Sequence, residues 1–218
     1  MKTKSSRARA AHAPREAEIH RLIGGDLSLD FANTLNGHTR VAGHEYLHHY
    51  ADLVLWARHA GILTPRDAGL LLKTAASHLS SAADVYRKAL MLREAIFRVF
   101  TAFAFGDRPA EDDLNQLNAV WRAGQRHASL VRSPAGFAIG WDDDLSLERI
   151  PRTISISAIH LLTSEKTGQI RRCHGDQCDW LFIDSSRNHL RRWCSMDECG
   201  NRAKMRRRQD RKRLFESN

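Results

Sequence analysis

Cys173-His174-Gly175-Asp176-Gln177-Cys178 and, fifteen residues later, Cys194-Ser195-Met196-Asp197-Glu198-Cys199 contain every cysteine of the chain. Each pair closes a short loop from which both sulfurs can reach one ion. Four thiolates complete a tetrahedral shell with no open position, which suits one structural Zn2+ rather than a catalytic one. Gly175 and Asp176 fit a turn inside the first pair, and Trp180-Leu181-Phe182-Ile183 reads as a short apolar strand returning beside Gln169-Ile170-Arg171. The first pair is therefore expected on a β hairpin. His174 is a competing ligand, but chelation by it and its neighbour Cys173 together is awkward.

Outward from the cysteines towards the N-terminus, the period becomes helical. Leu47, Tyr50, Val54 and Leu55 predict a helix over 46–60 ended by Gly61, and Thr64-Pro65-Arg66-Asp67 opens another with Thr64 as N-cap and Pro65 in the first turn. Val85, Ala89, Leu92, Ile96, Val99 and Phe103 make one stripe of a long helix over 83–105, and Leu114, Leu117 and Trp121 mark a fourth over 109–127. Ser133-Pro134-Ala135-Gly136 lies between two short extended runs, 129–132 and 137–141, which predicts a hairpin. Helical spacing resumes over 145–165, with Pro151 implying a late start or a kink. A short helix near Asp26–Thr34 follows the Gly24-Gly25 turn. The fold class expected is mainly α: a basic arm without structure over 1–17, a helical domain over 18–166 with a small β hairpin, and a four-cysteine zinc finger over 167–218 made of a hairpin and a basic helix.

The formal charge of +9 is uneven, since residues 171–218 carry 13 basic and 7 acidic side chains while residues 1–15 carry five basic and none acidic. A polyanionic partner at the ends of a near-neutral body is implied. After Cys199 a helix is expected to about Leu214, its direction set by the metal. Arg202, Arg206, Gln209 and Arg213 share one face, and Lys204, Arg208 and Arg211 an adjoining one. With Arg191, Arg192, Asn201, Arg207 and Lys212, these basic and amide side chains are the candidate nucleic-acid contacts, DNA first and RNA as the alternative. Arg202 has a second candidate role, bracing the finger from within, and Trp193 beside Cys194 reads as a lid over the metal.

Arg191-Arg192-Trp193-Cys194-Ser195-Met196-Asp197-Glu198-Cys199-Gly200-Asn201-Arg202-Ala203-Lys204 resembles the signature of the CGNR zinc fingers. In that family the finger follows a helical domain called ABATE, whose opening motif Leu22-Ile23-Gly24-Gly25-Asp26-Leu27-Ser28-Leu29-Asp30-Phe31-Ala32-Asn33-Thr34 resembles. Such proteins are regarded as bacterial transcription regulators, so the resemblance implies DNA binding.

One enzyme motif stands outside that picture. His44-Glu45-Tyr46-Leu47-His48 fits H-E-x-x-H, two zinc-binding histidines one helical turn apart with a glutamate base. Gly43 precedes it, no third ligand follows at the usual spacing, and a chain with 12 histidines makes coincidence unsurprising. A zinc peptidase using His44, Glu45 and His48 is thus the lesser alternative to a non-enzyme, and a zinc-stabilised protein-interaction module another. Asp30 and Asn33, spaced i and i+3, are candidate contacts for a small-molecule effector. No segment approaches the roughly 20 apolar residues of a membrane span. A cytoplasmic protein, able to form homo-oligomers, is expected.

Overall fold

The computed structural model describes residues 21–39, 43–141 and 146–216. The arm expected over 1–17 lies outside them. Among the described residues, seven α-helices and three two-stranded antiparallel sheets follow in chain order: α1 Leu27–Ala32, β1 Leu35–Asn36, β2 His44–Glu45, α2 Tyr50–His59, α3 Pro65–Ser77, α4 Leu79–Phe105, α5 Glu111–Gln125, β3 Ala128–Ser133, β4 Gly136–Trp141, α6 Arg149–Leu162, β5 Ile170–Arg172, β6 Leu181–Ile183 and α7 Asn201–Glu216. The architecture is mainly helical with small hairpins and a four-cysteine terminus.

Helix α4, about 40 Å long at 1.5 Å per residue, is the central strut of the core. Ala89, Leu92, Ile96, Val99 and Phe100 on it are wholly buried, whereas Phe103, expected in the same stripe, is 42% exposed. The caps act as the sequence indicates: Thr64 Oγ1 accepts from the Asp67 N–H at 3.1 Å, and Gly106 ends α4 with φ +76°. Pro151 occupies the first turn of α6, where the missing N–H has no helical acceptor to lose.

Helix α2 starts at Tyr50, four residues later than the apolar spacing suggests. His49 is its N-cap: the His49 ring nitrogen accepts from Asp52 N–H at 3.3 Å, and the Asp52 carboxylate accepts from the N–H of His48 at 2.8 Å and of His49 at 3.2 Å. This capping box uses histidine and aspartate in place of the usual serine and glutamate, and it excludes 46–49 from the helix. His44 and Glu45 are instead paired in β2 with Asn36 and Leu35, an element the sequence did not announce.

A charged cluster fastens this segment to α4. Arg93, 2% exposed, donates to both Glu45 carboxylate oxygens at 2.7 Å and to Thr34 Oγ1 at 3.2 Å. Its neighbour Glu94 holds the His38 ring at 2.8 Å, and that ring stacks on Phe97. Taking away one partner of such a buried pair leaves the other charge uncompensated.

The hairpin of β5 and β6 is not an appendage of the helical body. Ile170, Leu181 and Ile183 belong to the same buried cluster as Phe31, Leu92 and Ile154, while Phe182 and Trp180 pack with the cysteines. Strand alternation thus turns one side of β6 to the body and the other to the metal site. The ABATE-like opening segment forms the socket. Asn33, fully buried, donates to Leu181 C=O at 2.9 Å and accepts from Leu181 N–H at 2.8 Å, taking the place of a third strand. Gly24 C=O accepts from Ile183 N–H at 2.8 Å, and a side chain at Gly24 would approach Leu29 Cβ to 2.8 Å. Asp179 receives the N–H of Gly37 at 2.9 Å and of Thr39 at 3.2 Å.

Asn33→Ala removes two buried hydrogen bonds and orphans both polar groups of Leu181, so a loss of about 2 to 4 kcal/mol is expected, read from urea unfolding. Asp30 accepts from Gly24 N–H at 2.7 Å, and burial pushes its carboxyl up to about 6 from 3.8, against the pull of the Gly24 and Ile23 N–H groups. Between these two values the folded chain holds a proton that the unfolded chain has released. Stability therefore falls as pH rises through that window, by on the order of 2 to 3 kcal/mol for this group. In Asp30→Asn that part of the slope should vanish, measured as the difference between wild-type and variant stability from pH 4 to 7.

Candidate metal centre

The four sulfurs of Cys173, Cys178, Cys194 and Cys199 are buried and lie within 4.8 Å of one another, with Cys194 Sγ 3.6 Å from both Cys178 Sγ and Cys199 Sγ. Metal–sulfur bonds of about 2.3 Å in a tetrahedron place sulfurs about 3.8 Å apart. The set therefore has the size and number of donors for tetrahedral zinc, and it leaves no position open for water. Among the described residues no other group of three or more histidine, cysteine or acidic side chains converges in this way. His174 is exposed and outside the set.

Two different local structures deliver the pairs. Cys173 extends β5, its N–H donating to Trp180 C=O at 2.8 Å, and Cys178 N–H closes a turn on Gly175 C=O at 3.0 Å. A side chain at Gly175 would sit 3.2 Å from Cys199 Sγ, so the turn must pass the metal bare. The second pair follows a loop knotted by Asp184, which is buried and accepts from Ser186 N–H at 3.0 Å, Ser186 Oγ at 2.6 Å and Arg191 N–H at 2.9 Å. Burial opposes the ionised form of Asp184, but the bonds from Ser186 and Arg191 outweigh it and hold the carboxyl below its ordinary value. From Ser195 a π-helical turn, Met196–Gly200, leads directly into α7. The Met196 side chain lies across Gly200, its Sδ 2.8 Å from where a side chain would begin.

Donors surround the sulfurs. Cys173 Sγ accepts from the N–H groups of Gly175 at 3.4 Å and Cys194 at 3.3 Å, and Arg202 Nη2 donates to Cys199 Sγ at 3.3 Å. Arg202 thus braces the ligating sulfur, and its bond to Cys199 raises its own guanidinium above the ordinary value. Such donors orient ligating sulfurs and offset their charge. Trp193 is half-buried against the cluster, as expected of a lid, with Arg192 above its ring at 5.6 Å.

The candidate nucleic-acid contacts divide. Arg191 lies over the Phe182 ring at 4.4 Å and donates to the carbonyls of Trp193, at 2.9 Å, and Cys194, so it holds the knuckle together from inside. Asn201 turns back to Asp197 C=O at 3.1 Å, Arg202 to the sulfur, and Arg206 pairs with Asp176. The face expected to carry Arg202, Arg206 and Gln209 outward is therefore the one turned partly to the metal module. Lys204, Arg207, Arg208 and Arg211, at i, i+3, i+4 and i+7, form the opposite exposed stripe, and three of them share a groove of about 360 Å³ with Trp193 and Met196. Arg192, Lys212 and Arg213 are also exposed.

Residues 25–165 match the family model ABATE, described as "Putative stress-induced transcription regulator". The chain belongs to the ABATE family. Residues 169–212 match the CGNR zinc finger, so this ABATE protein carries a structural zinc ion on its four cysteines. Comparison with curated proteins found no match. No described helix is long and apolar enough to cross a membrane.

The other sites expected from the sequence come apart in this ABATE protein. In His44-Glu45-Tyr46-Leu47-His48 the first two residues lie in a strand, the glutamate is clamped by Arg93, and the two histidines do not share a helical face. Asp30 and Asn33 are buried and engaged in interior hydrogen bonds, Asp30 with Gly24 and Asn33 with Leu181. Sequence reasoning passed over Arg93, although a charge at 93 within the stripe 89, 96 and 100 is itself a sign of a buried partner. Asp179 and Asp184 carried no such signal.

Purified protein should contain one zinc per chain, unchanged in His48→Ala and lost in Cys199→Ser, by elemental analysis. A strong chelator should abolish the circular-dichroism contribution of the 16-residue α7 and leave the remaining helices in place, because β6 is anchored in the main core.

Proposed function

We propose that this protein is a transcription regulator that binds DNA through the outward face of α7, with Lys204, Arg207, Arg208 and Arg211 against the phosphate backbone. The observation that carries this reading is the division of the arginines. Those nearest the metal are engaged with Cys199, Asp176 and backbone carbonyls, and the remaining cations form one uninterrupted stripe on a helix whose start is tied to the zinc. A helix of this composition has almost no apolar face to pack, so a polyanion is the partner that completes it. Arg192, stacked on the Trp193 that lines the groove, extends the same surface.

The regulatory input, in this reading, is a small effector held by the helical body. Its place is a groove of about 380 Å³ between α4, α5 and α6, walled by Val85, Met91, Val120 and Pro151 with Lys88 and Arg152 at its edge. Pockets of that size and apolar character are the usual small-molecule sites.

The test is duplex binding across a salt series with the zinc-loaded protein. Replacing Lys204, Arg207, Arg208 and Arg211 by alanine should flatten the plot of log affinity against log salt by about four, whereas Arg206→Ala, whose guanidinium is already paired, should change it little. Equal loss in both variants would argue against the stripe. Enrichment of one duplex sequence from a random pool, undiminished by single-stranded RNA competitor, supports a DNA regulator; preferential uptake of the RNA argues for an RNA-binding module instead.

A further inference from the structure

The hairpin of β3 and β4 is half-buried at its base and exposed along most of its length. The register Leu130↔Ile139 and Arg132↔Phe137 puts Leu130, Phe137 and Ile139 on one face with Arg132 at its β3 side, and the three apolar side chains are 75%, 66% and 46% exposed. On the other face Val131 lies flat over Gly140, where an added side chain would meet it at 2.5 Å. Both outer edges lack a strand partner among the described residues. A two-stranded ribbon alone in water is marginal at best, and an apolar face of this kind on a soluble chain marks an interaction surface.

The chemistry of the edge selects the occupant. Strand β4, Gly136–Trp141, carries no charged residue and no proline, the two devices by which exposed edges ordinarily repel other strands. Strand β3 carries Arg132 alone. Two copies of a chain with net charge +9 repel one another where basic surfaces meet. β4 is a place where they can approach without bringing like charges together. It offers nothing to a polyanion.

We infer that β4 is the contact by which two copies of this chain pair, antiparallel about a two-fold axis, into a four-stranded sheet. Pairing centred on Ala138 sets Phe137 of one copy opposite Ile139 of the other. Directly opposed residues then lie on the same side, so the two apolar faces become continuous. The pairing is isologous and closes at two copies.

Sedimentation of the full zinc-loaded chain at micromolar concentration tests this. Wild-type protein should run at twice the 24.8 kDa chain mass, and Ile139→Lys and Phe137→Glu at the chain mass with zinc content and helix signal unchanged. Ile139→Thr, which keeps the preference for strand, should shift the equilibrium in the same direction should the charged variants fold poorly. Wild-type protein that stays monomeric across the accessible concentration range, or variants as dimeric as the wild type, would overturn the proposal. Loss of pairing together with an unchanged salt slope for DNA separates this surface from the α7 stripe.

Discussion

The burial of β6 on both faces is the constraint on which the rest depends. Leu181 and Ile183 close the core built around α4, and Phe182 between them closes the cluster around the cysteines. A three-residue strand in a two-stranded hairpin has little stability of its own. It is held because Asn33 supplies the hydrogen bonds of a missing neighbour and Asp179 ties the turn before it to residues 37 and 39. The metal module thus inherits its rigidity from the helical body, and its position relative to that body is set by packing rather than by a linker.

From that wall the order passes through sulfur to the basic helix. Four thiolates around a divalent ion carry a net double negative charge, and Cys199 places it at the N-terminus of α7, where negative charge is favourable to the aligned peptide dipoles. Arg202 and Arg191 sit against the same cluster and offset what the helix dipole does not. The outer stripe of Lys204, Arg207, Arg208 and Arg211 has the opposite balance, with like charges at i,i+3 and i,i+4 that disfavour an isolated helix. One end of α7 is stabilised by the zinc site, and the other carries the repulsion of its own like charges.

Much of this was legible before any coordinates. The zinc ligands, the hairpin between residues 170 and 183, the α3 cap at Thr64 and the central stripe of α4 follow from short-range spacing. Loops of four residues, alternation along a strand and the 3.6-residue period are local rules. The misjudged elements share a cause. Helix α2 starts later than its apolar spacing indicates because Leu47 is buried from a loop and so satisfies a helical period without a helix, and because a histidine–aspartate capping box does not look like one. Asp30 and Asn33 have the spacing of a small polar site, yet their partners are Gly24 and a strand far along the chain.

By itself the sequence determined that the four cysteines share one ion and that a basic helix follows, since ligand spacing and periodicity are properties of neighbours. Only the tertiary structure decided which arginines serve the finger and which face outward, and what Asn33 holds. Asn33 and Leu181 are 148 positions apart, and Arg93 and Glu45 are 48 apart. No local rule couples such residues. Their pairing follows from burial, which withdraws water and leaves each polar group bound to whatever partner the packed chain brings within reach.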